Sequence, residues 1–236
     1  MCGFIMDKLN FKKNYIQEVL FRVDFRIIPE LIEIGVPDKF VDIIKDDFMV
    51  FDENISEPNL WAYFDENYKK RIELTASSIV LSYDGDYYDT HFDILNDIGK
   101  IISILESYGV NTVNRMGLRY VNEIKPDKTI DDWNNWINPK LHNFNAIDSN
   151  LMLMRSLTQS QYRVGEYILN FTYGQFNSNY PNTDIGNDFI LDYDVYTSSL
   201  TEISFIEEKF DELHSIIISL FKESIGEDLF KDLQEG

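Results

Sequence analysis

Asn111-Thr-Val-Asn-Arg-Met-Gly-Leu-Arg-Tyr-Val-Asn-Glu123 decides the fold class, because it reads as a β-strand carrying arginines on one face. Side chains alternate along a strand, so Arg115, Gly117, Arg119 and Val121 point one way and Met116, Leu118, Tyr120 and Asn122 the other. Two cations therefore flank a glycine on one surface.

Before this strand, residues 92–105 switch to a helical period. Phe92, Leu95, Ile98, Ile102 and Leu105 recur every three or four positions, the first turn is acidic, and Gly109 is a good stop. Further back, 59–65, 69–75 and 78–83 read as three short strands joined by polar turns, an antiparallel meander closed by Asp84-Gly85-Asp86. Residues 15–28 alternate with Val19, Phe21, Val23, Phe25 and Ile27 on one face, and Pro29 stops them. One or two short helices follow as far as Asp47.

After the strand, 126–149 read as an Asn- and Asp-rich connector with a short helix at 130–137. Strand patterns then return at 151–159, 161–173 and 188–197, with a polar loop at 174–187. The chain ends in a helix from about Phe205, with Ser204 three residues before Glu207 as a capping box and Ile206, Phe210, Leu213, Ile217 and Leu220 as its seam. The expected fold is α+β in two similar halves, each an antiparallel strand meander packed against a long amphipathic helix. The boundaries are 1–125 for the N-terminal half, 126–149 for the connector and 150–236 for the C-terminal half, and the arginine strand joins one half to the other.

The 236 residues are 44% hydrophobic, ample for a packed core. A net charge of −20 disfavours direct binding to nucleic-acid backbones, which is driven by cations displacing counterions. It leaves three readings open: a solubility surface, a dock for a basic protein partner, or imitation of a polyanion. Cys2 is the sole cysteine, no apolar run approaches the about 20 residues that span a bilayer, and residues 1–13 lack a signal-peptide pattern. A cytoplasmic protein without membrane contact is expected.

Catalytic signatures are absent from the sequence: there is no nucleophile elbow, phosphate loop or dinucleotide-binding turn. No cofactor is expected. Asp89, His91 and Asp93 would share one face of a strand, but the helical period around them makes a solvated helix start the better reading, and His214 beside the last seam reads as a partly buried neutral imidazole. The best constellation sets Arg115, Gly117 and Arg119 against Asp192 and Asp194, which share a face of 189–196 with Ile190 and Tyr196. As the watered side of a sheet these are cross-strand ion pairs. Facing a groove between the halves, the arginines could instead hold a carboxylate or phosphate, with Gly117 letting a ligand or neighbour approach.

Asn114-Arg-Met-Gly-Leu-Arg-Tyr-Val-Asn122, Tyr15-Ile-Gln-Glu-Val-Leu-Phe21, Leu191-Asp-Tyr-Asp-Val195 and Leu213-His-Ser-Ile-x-x-x-Leu-Phe-x-x-x-Ile225 together resemble a sporadically distributed family of uncharacterised prokaryotic proteins, over nearly the whole chain and in the same order. Where that family usually has Pro-Pro before its first strand, this chain has Lys13-Asn14. The resemblance implies no activity. Its patchy distribution implies an accessory setting of the defence or toxin–antitoxin kind.

The leading expectation is a non-enzymatic binding or regulatory protein, a partner component of such a system. The alternative is an enzyme or sensor that binds a small anion through Arg115 and Arg119, with Asp192 or Asp194 as a base.

Overall fold

Alternation along the arginine strand places it at the centre of one antiparallel sheet. The computed structural model describes residues 11–33, 35–53, 57–88, 91–125, 133–141, 155–177, 181–182 and 188–235. Its strands are β1 (Ile16–Asp24), β2 (Val50–Phe51), β3 (Leu60–Phe64), β4 (Lys70–Thr75), β5 (Ser78–Asp84), β6 (Thr112–Val113), β7 (Arg115–Ile124), β8 (Ser156–Val164), β9 (Tyr167–Phe176), β10 (Asp188–Thr197) and β11 (Thr201–Glu202). Nine of them form the sheet β2-β3-β4-β5-β1-β7-β10-β9-β8, while β6 and β11 make a small separate pair. β7 bonds to β1 on one side and β10 on the other, so the sheet runs without interruption from N-terminal to C-terminal strands.

The helices are α1 (Glu30–Glu33), α2 (Asp38–Ile44), α3 (His91–Ser107), α4 (Ile206–Ser224) and α5 (Glu227–Glu235). α3 and α4 cover the same sheet face, because that is where alternation collects the apolar side chains. Val19, Phe21 and Val23 of β1, Met116, Leu118 and Tyr120 of β7, and Leu191, Tyr193 and Val195 of β10 are buried there against Ile98 and Ile101 of α3 and Phe210, Leu213 and Ile217 of α4. Phe210 meets Phe21 edge-on at 5.5 Å between ring centroids. The opposite face of the sheet carries Arg22, Arg71, Arg115, Arg119 and Arg163, leaving only Arg26 and Arg155 among the chain's arginines outside it.

Several expectations shift in detail. The buried side of α3 is Ile94, Asp97, Ile98, Ile101, Ile104 and Leu105, and Phe92 is exposed, so the helix is rotated from its expected seam. Ile94, Ile101 and Ile104 lie on this side, and with them comes Asp97, whose carboxylate is held by Lys70, Lys100 and the Tyr83 hydroxyl beneath the helix. The capping box does not form, because Ile203–Phe205 is a 3-10 turn, which makes Phe205 the residue before α4, with no side-chain cap. The break expected near Ser160 falls instead at Gly165-Glu166, where Gly165 adopts φ +61°, so β8 and β9 form a two-residue hairpin. Ile27 lies beyond the end of β1 and is exposed rather than packed. Of the expected connector helix at 130–137, the described part is a 3-10 turn at Trp133–Asn135; most of 126–149, and the loop residues 178–180 and 183–187, lie outside the described residues.

Candidate functional site

Register decides what the arginine strand meets. β10 runs antiparallel to β7 with Tyr196 opposite Gly117, Asp194 opposite Arg119 and Asp192 opposite Val121. Arg115, Gly117, Arg119, Asp192 and Asp194 therefore come together on one continuous face that carries no helix among the described residues. The two strands are hydrogen-bonded neighbours, so no groove separates these residues.

Arg119 reaches diagonally past Asp194 to Asp192. Its Nε and Nη2 donate to Oδ1 and Oδ2 of that carboxylate, each at 2.8 Å, a two-pronged pairing that suits the planar guanidinium. The Asp192 hydrogen bonds push the Arg119 pKa above its ordinary value, so the cation is permanent. The Asp192 side chain is 12% exposed and that of Arg119 is 44% exposed, so the carboxylate is covered while the guanidinium still meets water.

Arg115 is held more loosely. Its Nη1 lies 3.6 Å from Asp24 and its Nη2 4.0 Å from Asp194, while its guanidinium stacks 4.4 Å over the Tyr196 ring. Asp24 also accepts from Arg22 Nε at 2.7 Å, and Asp194 accepts from Asn170 Nδ2 at 3.0 Å. Asn170 in turn accepts from Gln161 on β8 at 2.9 Å. A polar chain thus crosses the sheet from β1 to β8.

Gly117 has a specific use here. A Cβ at this position would lie 3.2 Å from Tyr196 Cβ and 3.6 Å from Arg115 Nη2, so the space above the glycine is filled by the Arg115–Tyr196 stack. A neighbouring side chain, and not an open notch, occupies it.

Farther along this face Arg71 bridges Asp52 at 3.1 Å and Glu73 at 2.5 Å, beside a cleft of about 320 Å³ lined by Gln17, Glu18, Phe64, Tyr68 and Lys69. Sequence reasoning did not bring Arg71, Tyr196 or Asn170 to the site. Tyr196 had a signal, being on the same face as Asp194; the others depend on register between strands distant in sequence.

On the covered face, His91 and His214 stack at 4.4 Å between α3 and α4. Burial first, and the neighbouring His91 second, push the His214 pKa down to about 4, so its imidazole is neutral at pH 7. Asp89 and His142 lie outside the described residues. Among the described residues no three His, Cys, Asp or Glu side chains converge as metal ligands, and no helix is long and apolar enough to cross a membrane.

No protein-family model matches the chain, and a search of curated proteins returns no match.

Proposed function

We propose that the chain is a non-enzymatic binding protein that recognises a protein partner through its helix-free sheet face, as one component of an accessory system of the defence or toxin–antitoxin kind. The observation carrying this reading is the placement of five arginines on a sheet face that no helix covers among the described residues, with Arg119 locked to Asp192 yet still reaching solvent. Charged side chains held ready by neighbours lose little conformational freedom when a partner docks, and Arg is over-represented among residues that anchor interfaces. Both Asp192 oxygens accept from Arg119, which disfavours that carboxylate as a general base. The net charge of −20 favours a basic partner, and on this face Asp24, Asp192 and Asp194 answer the arginines. The setting rests on the family resemblance. The division into two similar halves belongs to this reading too, supported by the way each set of strands is followed by a long helix on the same face.

One observation favours a second reading, in which a small anion binds: the contacts of Arg115 with carboxylates, at 3.6 and 4.0 Å, are long enough for a competing phosphate or carboxylate to claim it.

Co-expression with the products of flanking genes, followed by purification on a tag, tests the first reading. A stoichiometric complex is expected, lost in the Arg115→Ala/Arg119→Ala variant while its melting temperature stays within about 2–4 °C of the parent. A complex that survives the double substitution, or no complex at all, contradicts it. Thermal stabilisation by phosphate that disappears in the same variant would establish the anion reading instead.

A further inference from the structure

The sheet has two unlike edges. β2 is two residues long, whereas β8 runs for nine and, among the described residues, pairs only with β9. Long edges are ordinarily blunted by lysine, proline, inward charge or a bulge, because their unpaired N–H and C=O groups template another strand. β8 has none of these, and its one charged residue, Arg163, is next to last in the strand and on the side away from the helices. Its sequence, Ser-Leu-Thr-Gln-Ser-Gln-Tyr-Arg-Val, contains no proline, lysine or carboxylate, and its register with β9 is unbroken from Ser156↔Gln175 to Val164↔Tyr167. On a chain of net charge −20, an edge without carboxylates is a place where a second acidic molecule can approach.

Hairpin geometry shows which backbone groups face outward. With a two-residue turn, the closing pair Val164↔Tyr167 exchanges both its hydrogen bonds, and bonded and non-bonded pairs alternate from there. Ser156, Thr158, Ser160, Tyr162 and Val164 then turn their backbone groups to β9. Leu157, Gln159, Gln161 and Arg163 turn theirs to the outer edge, which pairs with no strand among the described residues.

We infer that β8 pairs antiparallel with β8 of a second copy, about a two-fold axis at Ser160, joining both sheets into one. In this register Gln159 lies opposite Gln161 of the partner subunit and Leu157 opposite Arg163 of the partner subunit, all with outward backbone groups, so each pair exchanges two hydrogen bonds. Glutamine amides face each other across the axis, and the half-exposed Tyr162 ring, 49% accessible, lies over Thr158 of the partner subunit. A slip of one residue sets outward groups against inward ones and loses the ladder. A slip of two in one direction brings Arg155 opposite Arg163 of the partner subunit; in the other it leaves Leu157 beyond the end of the pairing. The Ser160-centred register alone uses the whole strand without opposing like charges. Because pairing of one strand buries less than the about 1,600 Å² of a standard interface, the dimer is concentration-dependent. This inference is independent of the proposed partner.

Sedimentation of the full chain over a concentration series tests it: a 27.8 kDa species should give way to twice that mass. Gln159→Glu with Gln161→Lys creates two opposite-charge pairs across the axis and should tighten the dimer about tenfold, whereas Gln159→Glu with Gln161→Glu creates like-charge pairs and should weaken it about tenfold. As a second readout, Ser160→Cys in a Cys2→Ser background should form a disulfide-linked dimer, since the Cα atoms of a non-bonded antiparallel pair are about 4.5 Å apart. A mass of 27.8 kDa at every concentration without cross-linking overturns the inference, as does a doubled mass indifferent to all these substitutions.

Discussion

Asp97 on α3 and Asp192 on β10 are both carboxylates gripped by cations, and their surroundings differ. Asp97 is 2% exposed beneath α3, where it accepts from Lys70 at 2.9 Å, from Lys100 at 2.6 Å and from the Tyr83 hydroxyl. Burial there raises its pKa, but the Lys100, Tyr83 and Lys70 hydrogen bonds outweigh burial and hold it below the ordinary carboxylate value. Asp192 instead sits on the uncovered face with Arg119 reaching into water. An enclosed cluster cannot lose one member without stranding the others in a medium that solvates charge poorly. The Arg119–Asp192 pair can, because Arg119 is 44% exposed and its removal lets water onto the carboxylate it pairs with. The first cluster belongs to the fold, and the second lies where recognition is proposed.

The largest effect should come from breaking the enclosed cluster. Asp97→Ala removes the carboxylate that Lys70 and Lys100 share, leaving Lys100 only Asp47 at 3.0 Å, and should cost about 3–5 kcal/mol in urea unfolding.

The same comparison has a pH signature. A folded-state pKa below the unfolded value means that the Asp97 contribution is fully present above the unfolded carboxylate pKa and lost as pH falls through the folded one, so Asp97→Asn should flatten the acid limb of the stability profile. His214 acts in a higher window. Its imidazole is held neutral in the fold with a pKa of about 4, while the unfolded chain takes up the proton near 6.5, so stability is complete above 6.5 and falls between 6.5 and 4. His214→Phe should remove roughly 2–3 kcal/mol of that loss, read as unfolding free energy at pH 7 and at pH 4.

On the open face the expected costs are small. Arg119→Ala should change stability by less than about 1 kcal/mol despite its two short hydrogen bonds. Gly117→Ala should change it least, by about 0.5 kcal/mol or less in either direction, since the added Cβ meets only Tyr196 Cβ closely, at 3.2 Å, while the backbone gains rigidity.

Period-two alternation made the sheet faces readable from the sequence: the residues expected to share a side of β7 and β10 do so, and β10 occupies the expected 188–197. What alternation leaves open is which strand lies beside which. The Arg119–Asp192 pairing is diagonal and follows from register across residues far apart in the chain. The inward place of Asp97 on α3 likewise depends on strands distant in sequence, because Lys70 and Tyr83 on the meander supply its partners. At Gly165 the signal was in the sequence, in the residue that tolerates positive φ, but the continuous strand-like pattern on both sides outweighed it. Ser204 and Glu207 had the right spacing for a capping box, and the preceding 3-10 turn set the helix start one residue later. The site residues were recognisable as two stripes of opposite charge; the stack of Arg115 on Tyr196 over Gly117 needed β7 and β10 in register.

A double-mutant cycle on Arg119 and Asp192, read in urea unfolding, tests most directly whether this pair is spare from the fold. Arg119→Ala, Asp192→Ala and the double variant should return a coupling below about 1 kcal/mol. A coupling of about 3 kcal/mol or more, in the range of an enclosed ion pair, would place Arg119 and Asp192 with Asp97 as part of the fold and contradict the account.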